Sequence, residues 1–424
     1  MHDDGTIHYP FSKYLTNEFN NPHTRELVSQ SLRILYRFTS AKKIELAVRA
    51  LEGRCLTYDE CKKLAGLCYR PLAEIESLSD KKVVSIISAK AGERPEEQRD
   101  AVEPNTAMKR LYHIAEYLMF YGEVFLGPNV RSRAMKESLK TEYEKTSHQL
   151  KNEIGGTKQG HHHDIRSLPS DKFMEIIRWV VLRPEELFVN ASGEPSRTLY
   201  RDRAMVLLAC EGLRPGTLGN IARVDFRPDS RHLVIVDNRK KRPVTTSSTP
   251  VLKLGASTQV NSASETIIQL WPFTIEAIRQ YIDTERTSAL SKNLKNRSSG
   301  FLFLNEKGEP IKHRSTITAM FNHIGKRLAA LGLLDVGSDP YFPNQKQYEF
   351  SGYVLRHSSA TLYVKLKGTE DSVLDTMKSR FGWTMTSNQP QRYAARALSD
   401  QANLNLMEFN KSLMDEVSAK NGRR

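Results

Sequence analysis

Nine residues, Gly155-Gly156-Thr157-Lys158-Gln159-Gly160-His161-His162-His163, divide the chain in two. The stretch has no periodicity, and its glycines raise the entropic cost of ordering the backbone, so no helix or strand is expected to run through it. Whatever lies on either side must bury its own apolar faces, and 424 residues leave room for two cores. The expected organisation is a helical domain over 1–155, a linker over 156–169 and a larger domain over 170–424. The histidine run has no ordered frame and no neighbouring cysteine, so no metal is expected there.

Ahead of the division the apolar spacing is helical. Leu27, Leu32, Leu35, Phe38, Ile44 and Leu46 predict an amphipathic region over 23–51. Thr57-Tyr58-Asp59-Glu60 places a capping hydroxyl three residues before a glutamate, which predicts a helix start followed by Leu64 to Leu72. Ser79-Asp80 opens a further candidate through Val83, Val84, Ile86 and Ile87, and 92–104 reads as a charged loop. Leu111, Ile114, Ala115, Leu118, Tyr121 and Phe125 share a face of a helix that begins at Asn105 and stops at Gly127-Pro128. Over 131–154, Arg131, Arg133, Lys136, Lys140, Lys145 and Lys151 are spread around a polar helix of the kind that can lie along phosphates.

Beyond the division, Ser170-Asp171 opens a helix carrying Phe173, Ile176, Ile177, Val180 and Val181, and Met205, Leu207, Leu208 and Cys210 mark a second. Residues 231–237 form a β-rich run, 238–242 a basic turn, and 243–254, with Val244, Val251 and Leu254, the expected returning arm of a hairpin with a basic tip. Helices are further predicted over 273–287, 317–331, 355–367, 372–380 and 396–418. The fold class expected is mostly α with a small antiparallel sheet (α+β).

Charge narrows the partner. Lys plus Arg number 63 against 49 Asp plus Glu, a formal charge of +14, which makes a polyanion, and double-stranded DNA first, the leading expectation. No apolar run approaches the roughly 18 residues of a membrane span. The opening MHDDGTIHYP lacks the pattern of a secretory signal, so the expected location is cytoplasmic, with the bacterial nucleoid. The four cysteines (Cys55, Cys61, Cys68, Cys210) fit neither a disulfide framework nor a paired zinc motif and are read as reduced, mostly buried thiols. No phosphate-cradling G-x-x-x-x-G-K-[ST] or G-x-G-x-x-G occurs.

Four features then follow in order: Cys210-Glu211-Gly212-Leu213-Arg214-Pro215-Gly216-Thr217-Leu218, the basic turn around Lys241, Tyr353-Val354-Leu355-Arg356-His357-Ser358-Ser359-Ala360-Thr361-Leu362, and Gly382-Trp383 with Tyr393 ten residues on. Together they resemble the tyrosine recombinase (phage integrase) family over about 170–400, while the N-terminal helices fit its core-binding domain only loosely. The resemblance implies a helical N-terminal DNA-binding domain and a catalytic domain that clamp a duplex. It also implies a tail helix docking on a neighbouring protomer, with packing back on its own domain as the alternative, a tetramer on DNA, accessory DNA-bending proteins, and a role in integration or recombination of a mobile genetic element. A metal-free, cofactor-free enzyme is implied, with a non-catalytic DNA-binding homologue and a DNA-relaxing topoisomerase as the alternatives.

The residue types suit that chemistry. Cleaving a phosphodiester takes a nucleophile, fixed positive charge for the transition state and a proton for the departing 5′-oxygen. By the resemblance Arg214 and Arg356 clamp the phosphate, since a guanidinium stays charged and offers a fork of donors. Lys241, or alternatively Lys240, donates the proton. Trp383 offers an indole N–H, and Tyr393 attacks phosphorus to give a 3′-phosphotyrosyl link that stores the bond energy, with Tyr363 as the rival phenol. Tyr353 stands in the catalytic position where the family has histidine; it can hydrogen-bond the phosphate or accept a proton through its phenol, although an ordinary phenol, with its pKa of about 10, is a poor base. His357 is read as packing or hydrogen bonding, with a catalytic stand-in as the alternative. Lys240, Arg242, His357, Arg131, Arg133, Lys136 and Lys140 complete the expected DNA contacts.

Overall fold

The computed structural model describes residues 8–81, 83, 102–153, 167–242, 246, 248–250, 252, 266–293, 300–334, 350–384 and 386–421. The Gly-rich division and histidine run, most of the expected returning arm at 243–254, Val244, Val251 and Leu254 included, and much of the candidate helix after Ser79 lie outside them. The chain forms two compact units, Met1–Gln159 and Gly160–Arg424.

The first unit is helical throughout its described part: α1 (Tyr9–Glu18), α2 (Pro22–Lys42), α3 (Leu46–Leu51), α4 (Tyr58–Cys68), α5 (Leu72–Ser77), α6 (Pro104–Tyr121) and α7 (Arg133–Asn152). Its boundaries have local causes. Asn21 accepts from the His23 backbone N–H at 3.0 Å and Pro22 occupies the first turn, while Lys43 ends α2 at φ 54°, dividing the long helical region expected from the sequence. The Thr57–Glu60 capping box forms as predicted, with Thr57 N–H donating to Glu60 Oε2 at 2.8 Å; the same carboxylate takes both Arg49 terminal nitrogens, at 2.6 and 2.8 Å. Val28, Leu32, Leu35 and Phe38 of α2 meet Leu64 and Cys68 of α4 and Leu111, Ile114 and Leu118 of α6 in one core. All four cysteines are free and buried, and burial pushes the Cys61 and Cys68 thiols up to about 12.

The second unit is built around α9 (Leu199–Cys210), in which Ala204 through Cys210 are all buried. Packed with it are α8 (Ser170–Leu182), α10 (Pro272–Tyr281), α11 (Arg314–Ala330) and α12 (Gly352–Lys367); α13 (Asp371–Phe381) and α14 (Gln389–Asn421) follow. Among the described residues the sheet is three-stranded and antiparallel, in the order β1 (Phe226–Arg227), β2 (His232–Ile235), β3 (Thr266–Gln269), with Leu233 opposite both Phe226 and Ile268. β2 pairs with 266–269, whereas of the returning arm expected over 243–254 only residues 246, 248–250 and 252 are described, and none of these pairs with β2. Ala360, Val364, Leu374, Met377, Phe381, Tyr393, Ala394 and Ala397 make a second small core where α12, α13 and α14 meet. The tail helix predicted over 396–418 starts earlier, at Gln389, so Tyr393 lies on its opening turns.

Candidate active site

The buried helix α9 ends at Cys210 and turns through Gly212, whose φ of +95° only glycine adopts easily. A Cβ there would stand 2.4 Å from Phe381 Cε1, so the turn is closed on the end of α13. Two residues later this turn presents Arg214, whose Nη1 lies 3.9 Å from where a Cβ on Gly382 would be. Ser351 caps α12 by accepting from Val354 N–H at 3.3 Å, which fixes the helix that carries Arg356 inward.

Arg356 is 5% exposed and joins these segments. Its Nη1 donates to the Gly212 carbonyl and its Nη2 to the Phe381 carbonyl, at 2.5 Å for the latter. Its guanidinium also lies 5.1 Å from the Trp383 ring centroid. Burial, and then the neighbouring Arg214 charge, push Arg356 down to about 9. Arg214 is likewise lowered, first by burial, with Tyr353 and Tyr393 acting the other way.

Gly382 takes the left-handed conformation at φ 59° and ends α13, and Trp383 N–H returns to the Lys378 carbonyl at 2.9 Å. The indole is stacked between Phe381 (5.2 Å, 19°) and Tyr393 (5.5 Å, 23°). Tyr393 is 1% exposed, and its hydroxyl is hydrogen-bonded to His357 Nδ1. Burial pushes the phenol up to about 12, against the pull of Arg356, Arg392 and Arg214. Burial first, then Arg356 and Arg392, push the His357 imidazole down to about 4. At neutral pH the site therefore holds a neutral phenol against a neutral imidazole, among arginines.

Tyr353 is exposed on the first turn of α12 and acts electrostatically on both Arg214 and Arg356. Arg214, Arg356, Trp383 and Tyr393 thus come together, with Tyr353 at their edge; the rival Tyr363 packs edge-on against Phe381 at 6.3 Å. Lys240 and Lys241 are exposed on a single turn, Arg239–Lys241, and neither bonds to this cluster among the described residues. That turn is anchored at both ends. Asn238 Nδ2 donates to Asn220 O at 2.9 Å and Asp225 Oδ2 at 2.7 Å; Arg242 donates to the Ile311 carbonyl at 2.9 Å and the Gly219 carbonyl, and lies over the Phe301 ring. Arg242, expected at the DNA surface, is thus buried and engaged by its own fold. Arg131, Arg133, Lys136 and Lys140 are exposed in the first unit, Arg133 beside Glu137 and Lys140 beside Glu144.

His357, read from the sequence as packing or hydrogen bonding, makes its hydrogen bond to Tyr393 between separate helices, and one further residue escaped the sequence reading. Glu211, next to the Gly-Leu-Arg turn, has a fully buried side chain that accepts from Trp271 N–H at 3.0 Å and from Arg380 Nη2 at 3.0 Å. Arg380 in turn donates to the Gln269 and Glu211 carbonyls, tying the turn to β3 and to α13. The one available signal was a carboxylate beside a tight turn at the end of an apolar helix.

Three solved structures are similar in fold. The Tn1549 transposon integrase in complex with transposon right end DNA is 11% identical, over 93% of this chain and 98% of that chain, at a TM-score of 0.47. The same integrase in complex with a circular intermediate DNA is 13% identical, over 93% and 98%, at 0.43. XerA recombinase is 14% identical, over 94% and 97%, at 0.35. No protein-family model matches the chain, and no curated protein matches it.

Proposed function

We propose that the chain is a tyrosine recombinase: a DNA strand transferase that cleaves and rejoins duplex DNA through Tyr393. The observation that carries this reading is the gathering of Arg214, Arg356 and Trp383 about the side chain of Tyr393, from four separate stretches of one unit. In this reading Tyr393 Oη attacks the scissile phosphorus, a 3′-phosphotyrosyl bond forms and the 5′-oxygen leaves as a hydroxyl. Arg214 and Arg356 offset the charge that grows on the non-bridging oxygens. Trp383 directs an N–H toward the same oxygens. Lys241 or Lys240, on the anchored basic turn, protonates the leaving oxygen. The phosphotyrosyl link keeps the bond energy for rejoining, so neither ATP nor a metal enters the scheme.

At 1% exposure Tyr393 is in a resting arrangement, and productive DNA binding must open a path to its hydroxyl. Exchange between two duplexes further requires several protomers, a tetramer in this reading. A duplex nicked next to the cleavage position, which loses a short fragment on cleavage and so traps the covalent form, tests the proposal. A DNA–protein adduct that vanishes in Tyr393→Phe is expected. Undiminished DNA binding with no adduct from the unaltered protein would assign the fold to a binding protein instead, and relaxation of a single supercoiled circle without a partner site would mark a topoisomerase.

A further inference from the structure

A phenol held protonated cannot attack phosphorus until its proton has somewhere to go. Tyr353, one position that the family reading would give to a histidine, is a phenol itself and is 53% exposed. One helical turn further along α12, His357 has its Nδ1 on the hydroxyl of Tyr393. Residues four apart share a helix face, so a base moved by one turn still serves the same side of the site. Among the described residues, the titratable and charged groups facing this imidazole are Arg356 on its own helix and Arg392 and Tyr393 on α14. None of them accepts a proton at neutral pH, which leaves the imidazole as the acceptor in contact with Oη.

We propose that His357 is the proton acceptor for Tyr393, a catalytic role that rests on the reading of Tyr393 as the nucleophile. In the tautomer protonated on Nε2, Nδ1 accepts the phenolic hydrogen bond. As the Oη–phosphorus bond forms, the Oη–H bond breaks and its proton passes to Nδ1, giving an imidazolium. The phosphorus–O5′ bond breaks, and the 5′-oxygen takes a proton from the lysine of the basic turn. In rejoining, the 5′-hydroxyl attacks, the lysine recovers its proton and Nδ1 returns the other to the departing phenolate. Burial first, and then the two arginines, keep the resting imidazole unprotonated, and an incoming phosphate offsets the arginine charge and raises its basicity where the proton must be taken.

Single-turnover adduct formation on the trapping duplex tests this, measured across pH for the unaltered protein, Tyr393→Phe, His357→Gln and His357→Ala. Loss of a general base predicts an adduct rate at saturating DNA lower by about 100- to 10,000-fold in His357→Gln. The acidic limb of the pH–rate profile disappears in that variant, and added imidazole restores part of the rate in His357→Ala. A duplex with sulfur in place of the bridging 5′-oxygen needs no proton on its leaving group, so it rescues Lys241→Ala or Lys240→Ala but not His357→Gln. Rates in the His357 variants within about threefold of the unaltered protein overturn the proposal while the Tyr393 reading stands. A slow variant that keeps the acidic limb and ignores imidazole also overturns it, in favour of a packing role. An adduct that survives Tyr393→Phe removes both.

Discussion

Arg356 serves two needs at once, and a single substitution separates them from simple charge. Its fork ties the Gly212 and Phe381 carbonyls together, while the proposed chemistry asks the same guanidinium to face a phosphate. A lysine keeps the charge but offers one point donor, so Arg356→Lys is expected to lose one charge-assisted bond, about 1.5–3 kcal/mol in a urea melt. Adduct formation should fall by about 100- to 1,000-fold, further than folding loss explains. His357 gives a second residue-scale test, this one on stability. Its folded-state pKa is held near 4, below the ordinary value of about 6.5, so across that window the unfolded chain binds more protons than the folded one. Stability is then fully present above pH ~6.5 and declines on acidification toward pH ~4, by up to about 3 kcal/mol, levelling off below. Urea melts at stepped pH check this, and in His357→Gln the decline should shrink; a profile identical to the unaltered protein's would contradict a buried neutral imidazole.

The turn after α9 shows how far an element can be read from residues alone. Gly-Leu-Arg marks the turn in the sequence, yet the reason glycine is needed is tertiary: the ring of Phe381, 169 positions along the chain, occupies the space of a Cβ. Gly212→Ala should therefore cost about 2–4 kcal/mol, from its positive φ and the displaced ring, and lower the melting temperature and adduct yield together because Arg356 holds on to the same carbonyl. The helices were legible because Leu111, Ile114 and Leu118, or Phe173, Ile176 and Ile177, repeat at the helical period and because Thr57 and Glu60 cap in a local motif. The sheet was only half legible. His232 to Ile235 reads as a strand, but its partner lies beyond a long connection, and no local pattern distinguishes Thr266–Gln269 from the nearer valines at 244 and 251. The site divides the same way. Arg214, Arg356, Trp383 and Tyr393 carry their motifs with them, whereas Arg242 looked like surface charge and is spent on carbonyls, and His357 acquires its meaning only where α12 and α14 meet.

At the scale of the molecule, the two units bury separate cores: the cluster from Tyr14 to Leu150 belongs wholly to the first, and those from Leu168 to Leu355 and from Ala360 to Ala397 to the second. Every member of the candidate site lies in the second, while the exposed basic side chains of α7 lie in the first. The proposed chemistry and the proposed non-specific affinity are thus assigned to different units. A chain beginning at Gly160 should fold cooperatively and still form the Tyr393 adduct when DNA is supplied in excess, but bind more weakly. The loss should be electrostatic, because each phosphate neutralised by a lysine or arginine contributes a slope of about −0.9 to log affinity against log salt. Replacing Arg131 and Lys136 together with glutamine in the full chain should flatten that slope by about 2 and leave the adduct rate at saturating DNA unchanged. The ion pairs of Arg133 with Glu137 and Lys140 with Glu144 are exposed, where such pairs contribute at most about 1 kcal/mol, so these side chains are free to exchange a carboxylate for a phosphate and should behave alike. Binding titrations at a series of salt concentrations give the slopes directly. A slope unmoved when Arg131, Arg133, Lys136 and Lys140 are all replaced by glutamine would take α7 and the residues just before it off the DNA and leave the second unit to hold the duplex by itself.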